Sequence, residues 1–138
     1  MAITQAMCTS FKSELLGGTH DMDTNTIKIA LYTSSASLDA STTAYSSSNE
    51  VSGTGYSAGG ATLSGASIST SSTTAYVDYS DPSWTSASFT ARGALIYNSS
   101  QSDKAVAVLD FGGDFTVSSG TFTVVFPAAG GSAIIRIA

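Results

Sequence analysis

The chain has 138 residues, of which 42% are hydrophobic and 11% are charged, and its formal net charge is −5. A chain of this length fits one domain spanning residues 1–138, which can bury a core without disulfides or metal ions. Ser and Thr make up about a third of the sequence, so short polar side chains, rather than charged ones, provide most of the polar surface in contact with water. The acidic balance offers no cationic field to phosphates or anionic lipids, which argues against nucleic acid and membrane as partners.

The N-terminal segment, residues 1–18, is predicted to form one short amphipathic helix. Apolar side chains recur at every fourth position of residues 3–16, as on one face of a helix: Ile3, Met7, Phe11 and Leu15. Two consecutive glycines then supply the stop signal. Because this apolar face packs either on the chain's own sheet or on a neighbouring subunit, Phe11 and Leu15 are candidate interface residues.

Most of the remaining chain is predicted to form β-strands. Residues 26–33 place Ile27, Ile29 and Leu31 on one face, which indicates a half-buried strand. Further strands are predicted at about 61–70, 74–79, 87–98, 104–111, 114–126 with a turn near Ser118-Ser119-Gly120, and 132–137. Short strands separated by turn residues indicate an all-β fold, an antiparallel β-sandwich or jelly roll with a short N-terminal helix. The last strand pairs either within its own subunit or with a neighbour.

Residues 34–61 are rich in Ser, Thr and Gly and are predicted to form a long loop. Loops of this length inside a compact domain are often functional. Tyr45 and Tyr56 lie in this loop, and Tyr79 and Trp84 follow it. Large amphipathic side chains are enriched at protein interfaces and on sugar-stacking surfaces, so these four are interface candidates, with core packing as the alternative.

No group of residues predicts an active site, and the chain is not expected to be an enzyme or to need a cofactor. A serine hydrolase would have to use His20, the only histidine, and there is no Gly-x-Ser-x-Gly elbow on a strand-to-helix turn. His20, Asp21 and Asp23 lack the spacing of a known metal-binding loop, so they are interpreted as a solvated turn without metal. The N-terminus lacks the features of a secretory signal, and the single Cys8 is consistent with synthesis in a reducing compartment.

Several strings of the sequence, taken in order, resemble a family of small virion structural proteins of tailed phages. These are MAITQAMCTSFKSELLGGTH, TIKIALYTSSASLDASTTAY, NEVSGTGYSAGG, ARGALIYNSS, KAVAVLDFGG and the ending IIRIA. The resemblance covers nearly the whole chain and offers no catalytic residues. It implies a protein assembled in the bacterial cytoplasm and located in the virion.

Within that resemblance, the expected role is a capsid decoration or cement protein. Its partner would be the major capsid protein, and it would act as a homo-oligomer such as a trimer that bridges capsid subunits. The N-terminal segment and the 34–61 loop are then the candidate contacts. Two alternatives remain open, a tail or fibre component and a carbohydrate-binding β-sandwich module in which Trp84 and the tyrosines stack on sugars.

Overall fold

The computed structural model describes residues 2–138 and is mostly β, with 47% of residues in strands and 8% helical. Two antiparallel sheets and one short helix confirm the predicted all-β sandwich with an N-terminal helix. The elements in chain order are β1 Ala6–Met7, α1 Thr9–Leu16, β2 Ile27–Tyr32, β3 Ala61–Thr62, β4 Ser67–Ser71, β5 Thr74–Asp78, β6 Ser83–Asn98, a 3-10 turn Ser99–Gln101, β7 Lys104–Thr123 and β8 Ile135–Ile137.

The larger sheet has the strand order β1-β7-β6-β2-β3, and the smaller sheet has the order β4-β5-β8. At the centre of the larger sheet, Leu95 of β6 pairs with Ala30 of β2 and with Val108 of β7. One cluster of buried side chains includes residues of both sheets and of α1. Phe11 of α1 lines the same cleft as Val77 of the smaller sheet, so the helix packs against that sheet.

The N-terminal helix is shorter than predicted, because it begins at Thr9 rather than at residue 3. The backbone of residues 4–8 forms hydrogen bonds with other segments of the chain instead of within a helix. Thr4 N donates to Leu38 O, Cys8 N donates to Val106 O, and β1 pairs with β7. Strand pairing thus replaces helix formation over the first half of the predicted range. The predicted glycine stop is confirmed, since the helix ends at Leu16 and Gly17 N donates to Ser13 O.

Strand β2 is confirmed, but the prediction that it is half-buried is wrong. Ala30 and Tyr32 are as deeply buried as Ile29 and Leu31, so both faces of the strand are covered. The 34–61 loop makes part of this cover, because the Tyr32 hydroxyl donates to the carbonyl of Ser46 at 2.6 Å.

The strands predicted at 104–111 and 114–126 are one strand, β7, which forms a long hairpin with β6. The register shifts from Gly93↔Asp110 to Ala91↔Phe115, so residues 111–114 bulge opposite a single residue of β6. Gly112 permits this bulge because its φ is +80°, a conformation that side chains disfavour. The predicted turn at residues 118–120 is a second irregularity in the same strand pair.

Two other predicted strands differ in extent. The strand predicted at 61–70 is divided into β3 and β4, and the strand predicted at 87–98 begins earlier, at Ser83.

The 34–61 loop is confirmed as irregular and contains only isolated bridges, such as Ala44↔Lys104. Gly60 ends this loop where a Cβ atom would lie 1.8 Å from the carbonyl oxygen of Ile29, so the close approach requires glycine. The C-terminal strand β8 pairs with β5 of the same chain.

Candidate interaction surface

The six predicted interface residues separate into an interior and a half-buried group. Phe11, Tyr79 and Trp84 are buried in the chain, and the Tyr79 hydroxyl donates to the carbonyl of Met22 at 2.9 Å. These three side chains therefore pack within the subunit and do not offer a surface to a partner or a face to a sugar. The other three are half-buried at the edge of the core: Leu15, Tyr45 and Tyr56.

Tyr45 and Tyr56 hold the 34–61 loop in place through the carboxylate of Glu50. The Tyr45 hydroxyl donates to Oε1 at 2.6 Å, and the Tyr56 hydroxyl donates to Oε2 at 2.5 Å. Gly59 N also donates to Oε2, at 2.8 Å. The Tyr56 hydroxyl accepts a hydrogen bond from Leu31 N at 2.8 Å, which ties the loop to β2. Hydrogen bonds to an ionised acceptor are the strong ones, so this network fixes the loop.

A third tyrosine extends the network into β6. The ring of Tyr97 stacks on that of Tyr45 at a centroid distance of 4.7 Å, and its hydroxyl donates to the carbonyl of Gly59 at 2.6 Å. Burial raises the pKa of Tyr97 to about 12. Burial, with the hydrogen bond to Glu50, also raises the pKa of Tyr45 and of Tyr56. All three phenols are therefore neutral donors at neutral pH, as the network requires.

His20 belongs to a second buried network that joins α1 to the turn after β6. Its Nδ1 lies 2.9 Å from Nδ2 of Asn98, and its Nε2 lies 2.9 Å from Oε1 of Glu14. Asn98 Oδ1 accepts from Ser100 N, which fixes the amide orientation, so Nδ2 donates and His20 Nδ1 accepts. The proton then resides on Nε2 and is donated to Glu14. Both ring nitrogens are thus used in holding the fold together, and the side chain is fully buried.

Asp21 and Cys8 are titratable groups outside these two networks. Asp21 Oδ1 accepts hydrogen bonds from the backbone N–H groups of Asp23 and Thr24, and contacts with Thr24 and Asp23 lower the pKa of Asp21. The interpretation of His20, Asp21 and Asp23 as a solvated turn thus holds for the two exposed aspartates and is wrong for His20, whose side chain is buried by the packing of α1 against the turn after β6. Cys8 is buried beside β7, and burial raises its pKa to about 11. Its thiol is therefore not a nucleophile at neutral pH.

An open groove of about 590 Å³ runs along one side of the β6–β7 hairpin, and we call it the hairpin groove. Exposed apolar side chains stand in it: Phe115 is 53% exposed and Val125 is 74% exposed. Its lining residues are Gln5, Leu109, Asp110, Phe111, Phe115, Thr116, Val117, Thr121, Phe122, Thr123, Val124, Val125, Phe126, Pro127 and Ile134. Contiguous exposed apolar surface of this kind marks binding sites on soluble proteins.

The groove exists because the far end of the hairpin extends beyond its neighbours in the sheet. Strand β1 pairs with β7 only at Ala107 and Val108, and β2 pairs with β6 only from Gly93 to Asn98. The remaining part, residues 83–91 and 115–123, is a ribbon of two strands. The 34–61 loop covers its β6 side, where Thr54 bridges Ser88, and within residues 2–138 no neighbouring strand lies on its β7 side. Phe111 and Phe122 lie 6.1 Å apart on its apolar side. The alternation of residues 121–126 predicts that Phe122, Val124 and Phe126 share one face of a strand, but sequence alone gives no sign of what covers that face.

A second, smaller cleft of about 130 Å³ lies between α1 and the β4-β5-β8 sheet, and we call it the sheet cleft. Phe11 and Met22 form its floor from the helix side, and Val77 and Ile135 from the sheet side. Two isoleucines at its rim, Ile68 and Ile137, are each 57% exposed. Its lining is almost entirely apolar, with Arg136 as the charged exception among the lining residues that the structure describes.

Within residues 2–138, no group of three or more His, Cys, Asp or Glu side chains is arranged to hold a metal ion. No helix in the same range combines the length and the apolar character needed to cross a membrane. No family model, no curated protein and no solved structure matches the chain, so no family is assigned to it. The hairpin groove and the sheet cleft are therefore the described features that bear most directly on function.

Proposed function

We propose that this protein is a structural, non-enzymatic component of a tailed-phage virion, and specifically a capsid decoration or cement protein that bridges subunits of the major capsid protein. The observation that carries the proposal is the hairpin groove, which leaves Phe115 and Val125 in solvent. Apolar side chains that stand in solvent at an open groove mark a candidate surface for binding another protein. The resemblance of strings such as ARGALIYNSS and IIRIA to virion proteins supports the choice of a phage particle.

A cement protein stabilises a shell by binding the assembled form and not the separated subunits. Binding adds contact area that must be lost before the shell opens, and a ligand present at 100 times its Kd stabilises the bound state by about 2.7 kcal/mol. Repetition at every junction between capsid subunits multiplies that effect over the whole shell. The chemistry required of the protein is surface burial alone, which needs no catalytic group.

The 34–61 loop is the surface that we assign to the capsid contact. Its Glu50 network fixes the loop before binding, so little conformational entropy is lost when a partner docks on it. Ser47 and Ser48 stand exposed at its outer side. The N-terminal segment is no longer a contact candidate as a whole, because Cys8 and Phe11 lie in the core.

The experiment is sedimentation of the purified protein with decoration-free capsids and, separately, with isolated tails of the matching phage. We expect sedimentation with capsids at a fixed ratio to the shell subunit, together with greater resistance of the capsid to heat. Sedimentation with tails alone would contradict the head assignment and support a tail or fibre component. Binding to neither would overturn the virion role.

Matched variants locate the contact on the loop. Ser47→Glu with Ser48→Glu adds two charges to the exposed loop, and Ser69→Glu with Ser71→Glu adds the same charge to the exposed strand β4. We expect the loop variant to weaken capsid binding by about tenfold or more, equivalent to about 1.4 kcal/mol. The β4 variant should bind as the wild type does, and equal weakening by both would remove the loop as the contact.

A further inference from the structure

Four of the large apolar side chains that stand more than half exposed lie at the two open clefts of the molecule. Phe115 and Val125 line the hairpin groove, and Ile68 and Ile137 line the sheet cleft. The chain thus carries two separate apolar surfaces, and each is left open by the part of the chain that the structure describes.

The C-terminal segment borders both surfaces. Ile134 lines the hairpin groove, whereas residues 135–137 line the sheet cleft. The two surfaces are lined by different residues, so a partner that fills one cleft alone leaves the other in water.

Symmetry then distinguishes between two ways in which copies of this chain could associate. A two-fold dimer in which one patch meets the same patch of the other copy leaves the second patch of each copy in water. A head-to-tail contact joins one patch to the other, and when it repeats around a closed ring it covers both patches of every copy. Two different apolar surfaces on one chain therefore favour the head-to-tail arrangement.

The charges at the two clefts are complementary. Asp110 is the charged side chain among the described residues that line the hairpin groove, and Arg136 is the one that lines the sheet cleft. A chain with a formal net charge of −5 would repel its own copies unless opposite charges meet at the contact. Opposite charges across an interface fix its register and exclude wrong pairings.

We propose that the hairpin groove of one copy receives the Ile68 and Ile137 rim of the sheet cleft of the next copy, so that the chains close into a ring. A second copy of this chain is thus the occupant of the groove. The inference deepens the proposed structural function and rests on it for its biological meaning, while the 34–61 loop stays free to contact the capsid. Its test uses the purified protein without any capsid.

The first part of the test is the solution mass of the wild type and of three variants. We expect the wild type to have the mass of three or more subunits of 13.9 kDa. Phe115→Asp blocks the groove and Ile137→Asp blocks the rim, so each variant alone should be a monomer. Leu16→Asp is the matched control, because Leu16 is 92% exposed and lines neither cleft, and it should keep the wild-type mass.

The second part mixes the two monomeric variants. Phe115→Asp retains an intact rim and Ile137→Asp retains an intact groove, so a head-to-tail contact predicts a one-to-one pair that grows no further. Failure of the mixture to pair would overturn the proposal, as would a monomeric wild type. Circular dichroism checks that the variants fold, and Val125→Asp with Ile68→Asp repeats the test at a second pair of exposed positions.

The outcome is independent of capsid binding. A ring that does not sediment with capsids would uphold this interface and contradict the cement function. A monomer that does sediment with capsids would contradict this interface and support the cement function.

Discussion

The β6–β7 hairpin has two ends that differ in what covers them. At the end near the turn, β1 and β2 pair on either side, and every residue from Ala105 to Leu109 is buried. At the far end, β7 pairs with β6 alone, and no residue from Asp110 to Thr123 is buried. Strand β7 thus lies at the centre of the core at one end and on the surface at the other, whereas β6 keeps side chains such as Trp84 and Ala91 buried along its far half.

The difference shows that apolar side chains are not sufficient to make a core, because burial requires neighbouring strands. Phe111, Phe115 and Phe122 are as hydrophobic as the residues near the turn, yet they remain partly exposed. Strand β7 at the far end has β6 on one side and no strand of the described chain on the other. We interpret this open side of β7 as a surface that assembly covers, whereas the turn end is complete within the monomer.

The largest effect should come from truncation of a side chain at the turn end. Leu95 is fully buried, so Leu95→Ala leaves a cavity and should lower the free energy of unfolding by about 2–5 kcal/mol. Phe115→Ala at the far end should cost less than about 1 kcal/mol, because that ring is already largely in water. Urea denaturation of both variants, in an Ile137→Asp background in which we expect the chain to be monomeric, measures the two values. Equal losses would show that the far end is packed as tightly as the core.

Alkaline pH should destabilise the body of the protein through its buried thiol and phenols. Burial raises the pKa of Cys8 from 9.0 to about 11 and that of Tyr97 from 10.0 to about 12. Their contribution to stability is complete below the unfolded-state pKa and is lost as pH rises through the folded-state value. The free energy of unfolding should therefore fall from pH 9 upward, by about 1.4 kcal/mol per pH unit from Cys8 alone.

Residues 83–91 and 115–123 contain neither Cys nor Tyr, so the far end contributes nothing directly to this loss. Cys8→Ala should delay the onset of the fall from about pH 9 to about pH 10, where the tyrosines begin to titrate. Denaturant unfolding at a series of pH values measures the pH at which the free energy of unfolding begins to fall. A stability that stays constant between pH 9 and 11 would contradict the buried environment of these groups.

A smaller effect should distinguish the two tyrosines that hold the loop over β2. The same loop covers β6 at the far end, where the Tyr56 ring lies 5.8 Å from that of Phe89, whereas β7 has no such cover there. Tyr56→Phe removes both the donor to Glu50 and the acceptor for Leu31 N, so it should cost about 1–3 kcal/mol. Tyr45→Phe removes only a donor to Glu50 and should cost about 0.5–1.5 kcal/mol. Thermal unfolding of both variants shows which one loses more stability. A larger loss for Tyr45→Phe than for Tyr56→Phe would mean that the Leu31 contact does not anchor the loop.

Local sequence pattern predicted the elements whose neighbours are close along the chain or whose alternation is regular. Strand β2, the glycine stop after α1 and the irregular 34–61 loop all follow from such signals. The early start predicted for the helix was wrong, since Ile3 and Met7 fit both a helical face and an edge strand. Only the distant partners Leu38 and Ala107 decide between these alternatives.

The candidate surface was harder to predict, because it depends on where neighbours end. Phe11, Tyr79 and Trp84 are of residue types that are common at interfaces, yet long-range packing places them inside the chain. Phe115 and Ile137 lie in ordinary strand patterns and become exposed only because no adjacent strand of the same subunit covers them. Two glycines at positions 112 and 113 indicated a turn, whereas continued pairing with β6 makes them a bulge.

The most direct test of the contrast between the two ends is amide hydrogen exchange of the wild-type protein over a dilution series. We predict that amides of residues 105–109 exchange slowly at every concentration, since their protection comes from the monomer's own sheet. Amides of residues 115–123 should exchange rapidly in dilute monomer and slowly when the copies associate. Protection of residues 115–123 that does not change with concentration would contradict the assignment of the far end to assembly.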